Sequence, residues 1–250
     1  MIGGRIGGWV LSQLLVAPGL SLQSKAVYQA IDRMQPRSIT TLGRIVSTRR
    51  DIVERECRAL EAAGWLIMLS EKGCSIPVAT VPDPLQVVMV QMLEEERDRA
   101  FARGECIMKK WLDLMIITHD FFDNSRPPHL DSASTMGRLE CDREYTVGVV
   151  FEFNGQQHYE TTPQFPSEVE LANRQTRDHI KSSLSLKHNV KLIEVVETDL
   201  RLDRMQSKIP SILPMRKIDP AWTYVQGLSR VSNGYILNCL RGRARDHKNK

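Results

Sequence analysis

Leu139–Tyr159 reads LECDREYTVGVVFEFNGQQHY, and the fold is read outward from it. Val147–Phe153 is a β-branched and aromatic run that stops at Asn154-Gly155, the pattern of a buried strand ended by a turn. Inside the run sits Glu152, and a charge in a buried strand needs a partner, a metal or a chemical task. Asp142 lies ten residues earlier, the length of a strand, a turn and a return, so the two acids are expected to meet at one end of a sheet. Side chains alternate along a strand, which puts Glu152 and Asn154 on one face and Phe151 and Phe153 on the other. With His158 beyond the turn, the acids and the amide make an oxygen-rich set suited to a hard divalent cation. The other reading of Glu152 is a strand acid neutralised by Arg or Lys.

The rest of the chain narrows the class. At 250 residues it has room for one large domain or two small ones, and its 42% hydrophobic and 26% charged content is that of a globular protein. A net charge of +4 is compatible with a nucleic-acid partner without demanding one. Cys57, Cys74, Cys106, Cys141 and Cys239 are scattered and include no CxxC pair, which predicts reduced thiols and a cytoplasmic location, nucleoid-associated in a bacterium. No apolar run approaches the roughly 20 residues of a membrane span. The opening MIGGRIGGWVLSQLLVAPGL imitates a secretion signal only faintly, since Ser12 and Gln13 break its apolar patch and no small-x-small site follows. Its glycine pairs follow no strand and precede no GK[ST], so no nucleotide cofactor is expected.

Residues 1–82 are predicted to form a basic helical module. Ser21 or Ser24 caps a helix carrying Val27, Ile31 and Met34, and Ser38 caps a second over Ile39–Val46. A third helix spans Arg49–Ala63 and is stopped by Gly64. Trp65–Leu69 and Cys74–Val81 then read as a β-hairpin. The stretch SITTLGRIVSTRRDIVERECRALEAAGWLIML resembles the winged helix-turn-helix superfamily. That resemblance implies DNA contacts from Thr48, Arg49, Arg50 and Arg55 on the recognition helix and from Lys72 on the wing.

Residues 83–103 read as a helical connector, apolar over Leu85–Leu93 and charged afterwards, suited to packing on the wing or on a second subunit. A helix over Glu105–Ile117 follows, with Ile107, Trp111, Leu114 and Met115 toward a core and Glu105 at its N-terminal end. Phe121–Met136 reads as loop, Val169–Lys187 as a helix, Val190–Val196 as a strand and Thr198–Leu213 as a further helix. This order predicts an α/β sandwich with a mixed central sheet over residues 104–214, and an α+β chain overall. Residues 215–250 read as a C-terminal extension, a short capping element before a basic, poorly structured tail, RGRARDHKNK.

GECIMKKWL, then LECDREYTVGVVFEFNGQQHY, then RQTRDHIKSSLSLKHNVKLIEV together resemble the restriction-endonuclease-like fold with its PD-(D/E)xK site. The likeness is to the branch that includes very-short-patch repair and homing endonucleases. It implies Asp142 and Glu152 as metal-binding carboxylates, the Phe153 carbonyl as a further ligand and Glu105 as an outer acid. Asn154 stands where that family has its catalytic lysine, which passes the electrostatic role to Lys181, with His158 as a proton donor. The implied activity is Mg²⁺-dependent hydrolysis of DNA phosphodiesters, with Mn²⁺ as a substitute, by an enzyme of phage or mobile-element type that its winged helix targets. Two other readings follow from Asn154 and from the pairing of modules. One is a DNA-binding regulator or assembly factor with a degenerate nuclease fold, and the other an endonuclease subunit acting only within a transposition complex. A homodimer or protein partner is left open.

Overall fold

Capping chemistry sets the first elements of the computed structural model, which describes residues 4–71, 74–118, 120–132, 137–155, 159 and 167–246. The Ser21 hydroxyl accepts the Ser24 N–H at 2.9 Å and starts α2 (Leu22–Met34). Ser38 does the same for Thr41 at 3.1 Å and starts α3 (Ile39–Ile45). Helix α4 runs Arg50–Ala62, one residue shorter at each end than expected, because Arg49 is extended at φ −60° and ψ 145°. Gly64 adopts φ +74°, which a side chain would disfavour, and lets the Trp65 N–H return to the Leu60 carbonyl at 2.8 Å. β1 (Leu66–Glu71) and β2 (Cys74–Ala79) then pair antiparallel. The Tyr28 ring meets Trp65 edge-on at 5.5 Å and its hydroxyl donates to the Thr80 carbonyl at 3.0 Å, tying α2 to the hairpin. The expected order of helices followed by a hairpin is therefore present. Lys72 lies outside the described residues.

A helix not expected from the sequence, α1 (Gly4–Val16), precedes this module. Each interior glycine costs a helix about 1 kcal/mol relative to alanine, so propensity argues against it. Burial of Val10 and Leu14 overrides that bias.

The chain divides into two compact units, each drawn from three segments. One comprises Met1–Glu95, Asp113–Thr118 and Leu213–Leu228, and the other Glu96–Leu112, His119–Ile212 and Ser229–Lys250. Helices α5 (Asp83–Arg99) and α6 (Arg103–Met115) each contribute residues to both.

The second unit is built on a four-stranded sheet, in the order β3 (Phe121–Ser125), β6 (Cys141–Tyr145), β7 (Val149–Phe153), β8 (Lys191–Val195). Two short strands, β4 (Asp131–Ser132) and β5 (Gly137–Arg138), form a separate ladder. The first three sheet strands pair antiparallel, whereas β7 and β8 are parallel and joined through α7 (Glu168–Lys187). The sheet is thus mixed and the chain α+β, as the sequence predicts. Strand β3 corrects the expectation of a loop over Phe121–Met136, since its polar sequence, FFDNS, carries no alternation to mark a strand. Val147 belongs to the turn before β7, where Gly148 takes φ +78°.

The two faces of β7 have different company. Val150 packs with Leu130, Leu139, Cys141 and the Ile180 and Leu184 side of α7. On the opposite face Phe151 meets Tyr145, and Phe153 meets Tyr235 of α9 (Thr223–Asp246). Helix α9 corrects the C-terminal expectation, because it continues through Arg241–Asp246 where a poorly structured tail is predicted. The expected helix over Thr198–Leu213 shortens to α8 (Leu202–Lys208).

Candidate active site

The hairpin β6–β7 brings the two acids together by register. Arg143 pairs with Phe151 and Glu144 with Val150, so continuing the ladder sets Asp142 opposite Glu152 on the α7 face. Asp142 Oδ2 accepts the Phe153 N–H at 2.7 Å, and its own N–H donates to Glu152 Oε2 at 3.3 Å. Helix α7 crosses this face and places Lys181 in an ion pair with Glu152 Oε1, both side chains at or below 12% exposure. The charge in the strand therefore has its lysine partner, and that lysine is the one expected to stand in for Asn154.

The electrostatics follow from burial. Desolvation, and after it the charges of Glu152 and Glu105, lift the Asp142 carboxyl to about 7. Desolvation also raises Glu152, against the pull of Lys181. Glu105 thus stands close enough to act on Asp142, yet among the described residues no group of three or more His, Cys, Asp or Glu side chains gathers to hold a metal. The acids form a pair with Glu105 outside it. Phe153 meets Asp142 through its N–H, and nothing places its carbonyl with the acids.

Gly104 explains how Glu105 comes so near. A Cβ at that position would lie 2.2 Å from the Phe153 ring and 2.7 Å from the Tyr235 hydroxyl. Only glycine lets the first turn of α6 pass this close to the end of β7.

Asn154 is buried, its N–H donates to the Val195 carbonyl at 2.9 Å, and its Oδ1 meets no donor among the described residues. An amide in this position supplies no exchangeable charge. His158 lies outside the described residues.

Sequence reasoning overlooked Lys109 and Asn124. Lys109 on α6 pairs with Glu105 one turn earlier and also donates to Asn124 Oδ1. Asn124 has φ +51°, rare for a side chain, and falls in β3 between Asp123, opposite Arg143, and Ser125, opposite Cys141. That register puts the strained residue across from Asp142. The Glu105–Lys109 spacing was legible in the sequence, but the strand carrying Asn124 was not. Beneath them Arg143, 2% exposed, makes a two-point ion pair with Asp123 at 2.7 and 2.9 Å and donates to the Lys109 carbonyl at 3.3 Å. This ties α6 to β3 and β6.

In the other unit, the expected DNA-contacting arginines are ion-paired along α4. Arg49 pairs with Asp51 at 2.9 Å and Arg50 with Glu54 at 2.7 Å, both exposed. Arg55 reaches Glu56 at 2.6 Å, and that buried carboxylate also accepts from Ser21 and Ser24. All three guanidinium groups stay at the surface, and only the partner of Arg55, Glu56, is buried. Thr48 turns its hydroxyl to the Val46 carbonyl at 3.0 Å.

Fold and site together define a mixed α/β protein whose central hairpin carries a carboxylate pair, its buried member Glu152 held by a helix lysine. The chain is 34% identical over 99 residues to a protein of Invertebrate iridescent virus 3 described as "Uncharacterized protein 033L". The match covers 39% of this chain and 50% of that protein, so the chain spans about half the length of the curated relative it matches. No family model and no solved structure matches. No described helix is long and apolar enough to cross a membrane.

Proposed function

We propose that the chain is a divalent-metal-dependent DNA endonuclease, targeted by its N-terminal helical module and centred on Asp142, Glu152 and Lys181. The observation that carries this reading is the pairing of a buried and a half-buried carboxylate with a helix lysine at the end of a parallel β7–α7–β8 crossover. The donor set suits a hard cation. Asp142 and Glu152 repel one another in a desolvated position, and both present oxygen ligands of the kind Mg²⁺ takes. Bound there, Mg²⁺ would supply Lewis-acid stabilisation of the phosphate and a lowered pKa for an attacking water. The chain's own groups do the rest. Lys181 offsets the charge of Glu152 and stands beside the acids as a cationic group for a phosphate oxygen. The Phe153 N–H orients the Asp142 carboxylate. Lys109 holds Glu105 next to the pair, and Arg49 and Arg50 offer exposed guanidinium donors to a DNA backbone.

A second reading, a DNA-binding factor with a degenerate nuclease fold, is favoured by Asn154 in the lysine position. Incubation with supercoiled and linear DNA in Mg²⁺, Mn²⁺ or EDTA separates the two. The nuclease reading expects metal-dependent cleavage that Asp142→Asn and Glu152→Gln abolish. Intact DNA with every metal, together with retained DNA binding, would select the second reading.

A further inference from the structure

Outside the acid pair, the N-terminal unit holds a part-open cavity of about 40 Å³ bordered by Val10, Tyr28, Asp32, Met89, Arg216 and Trp222. Arg216 and Asp32 are 6% and 4% exposed at their side chains and form an ion pair through Nη1 of the arginine. The guanidinium has two further donor nitrogens. Its Nε and Nη2 are buried and meet no acceptor among the described residues. An unmatched buried donor ordinarily costs about 1–3 kcal/mol, and here two donors of one rigid fork share that state. Their geometry specifies what would satisfy them. Nε–H and Nη2–H point in parallel along one edge of the plane, the spacing that the two oxygens of a carboxylate match.

Size and wall chemistry narrow the ligand. At roughly 10–15 Å³ per water, the space equals about three waters, which admits a carboxylate head with one or two carbons and excludes a nucleotide. Val10 and Met89 offer water no strong hydrogen-bonding group, while water in a buried site needs 2–4 polar partners. An alkyl group suits that end better. Gln86 on the lining is already engaged, bridging the Val81 carbonyl at 2.6 Å and the Tyr224 N–H at 3.0 Å. Tyr28 donates to Thr80. We propose that this cavity is a binding site for a short-chain monocarboxylate, held two-point by the Nε–Nη2 edge of Arg216 with its alkyl group against Trp222 and Met89. This site is independent of the nuclease reading.

The test titrates the full chain with sodium propionate, with sodium chloride at equal ionic strength and propionamide as controls. A saturable rise in melting temperature with propionate alone is expected, together with a nuclear Overhauser cross-peak between the propionate methyl and the Trp222 indole. Arg216→Gln alone takes the arginine from Asp32, so the deciding variant is Asp32→Asn with Arg216→Gln, which removes both charges of the ion pair. That variant should fold and lose the propionate response by more than tenfold in apparent affinity. A response shared by chloride or propionamide, or one retained in the double variant, overturns the site and leaves ordinary buried water as the occupant.

Discussion

Replacing Asp142 by Asn should stabilise the protein while removing its proposed activity, and the gain should grow with pH. The Asp142 carboxyl sits near 7 in the folded state because it is desolvated beside Glu152 and Glu105, whereas an unfolded aspartate titrates near about 3.9. A carboxyl raised on folding is bound by more protons in the native than in the unfolded state, so stability falls as pH rises between the two values and levels off above the higher one. The complete loss is on the order of 4 kcal/mol, and the part between about pH 5.5 and pH 8 is about 2 kcal/mol. Asn does not titrate, yet its carbonyl oxygen still accepts the Phe153 N–H that Asp142 holds at 2.7 Å. Urea unfolding of both proteins across that range isolates the effect of the acid pair, since titrating groups away from it are common to both and cancel in the difference. The Asn chain should gain about 2 kcal/mol over the parent from the low to the high end, or roughly 4–8 °C in melting temperature for a chain of this size. Mg²⁺ at about 10 mM should then raise the parent's stability at the high end and leave the variant unmoved, as ligand linkage requires. A stability difference that does not vary with pH would refute the account of the acid pair.

Lys181→Met leaves Glu152 buried without its partner and should cost about 3–5 kcal/mol in denaturant unfolding, most of it recovered when Glu152→Gln is added. Gly104→Ala drives a methyl into the Phe153 ring and the Tyr235 hydroxyl, so a loss of about 1–3 kcal/mol is expected, with cleavage reduced further because Glu105 moves away from Asp142. Arg49→Ala with Arg50→Ala removes exposed ion pairs and should change stability by less than about 0.5 kcal/mol. The same change should lower DNA affinity and reduce its salt slope by about two, and an unchanged slope would remove these residues from the DNA-binding surface.

How far the fold was legible follows from which elements carry their own signals. Ser21, Ser38 and Gly64 mark helix ends through side-chain hydrogen bonds and a left-handed backbone, and these local devices survive in the structure. The meeting of Asp142 and Glu152 was legible because a two-strand return has a fixed length and a fixed alternation. Phe121–Ser125 was not, since its strand state depends on Arg143 pairing with Asp123 and stacking over Phe121 at 4.0 Å, contacts made by a residue some twenty positions later. Helix α1 was missed for a related reason, because only tertiary burial of Val10 and Leu14 offsets its glycines. The long α9 carries weak helical patterning of its own, and its residues divide between the two units.

The departure at Asn154 gains a physical account from its surroundings. A lysine in that position would add a cation to the α7 face already occupied by Lys181, whose ion pair with Glu152 is buried. Two ammonium groups beside one desolvated carboxylate would repel, and one would lose its hydration without a partner. Asn154 instead keeps a neutral side chain under the surface, while its backbone N–H donates to the Val195 carbonyl as that of any non-proline residue there could. On the other flank, Lys109 serves Glu105 in the way Lys181 serves Glu152. Glu105 and Glu152 thus each have a lysine from a helix, and Asp142 has a raised pKa and one backbone donor, the Phe153 N–H. If a metal binds, Asp142 is the group whose free energy changes most, because ionising it costs the most without one. Metal affinity should therefore fall as pH drops below about 7, and the Asp142→Asn chain should show neither the affinity nor that pH dependence when Mn²⁺ binding is followed by calorimetry.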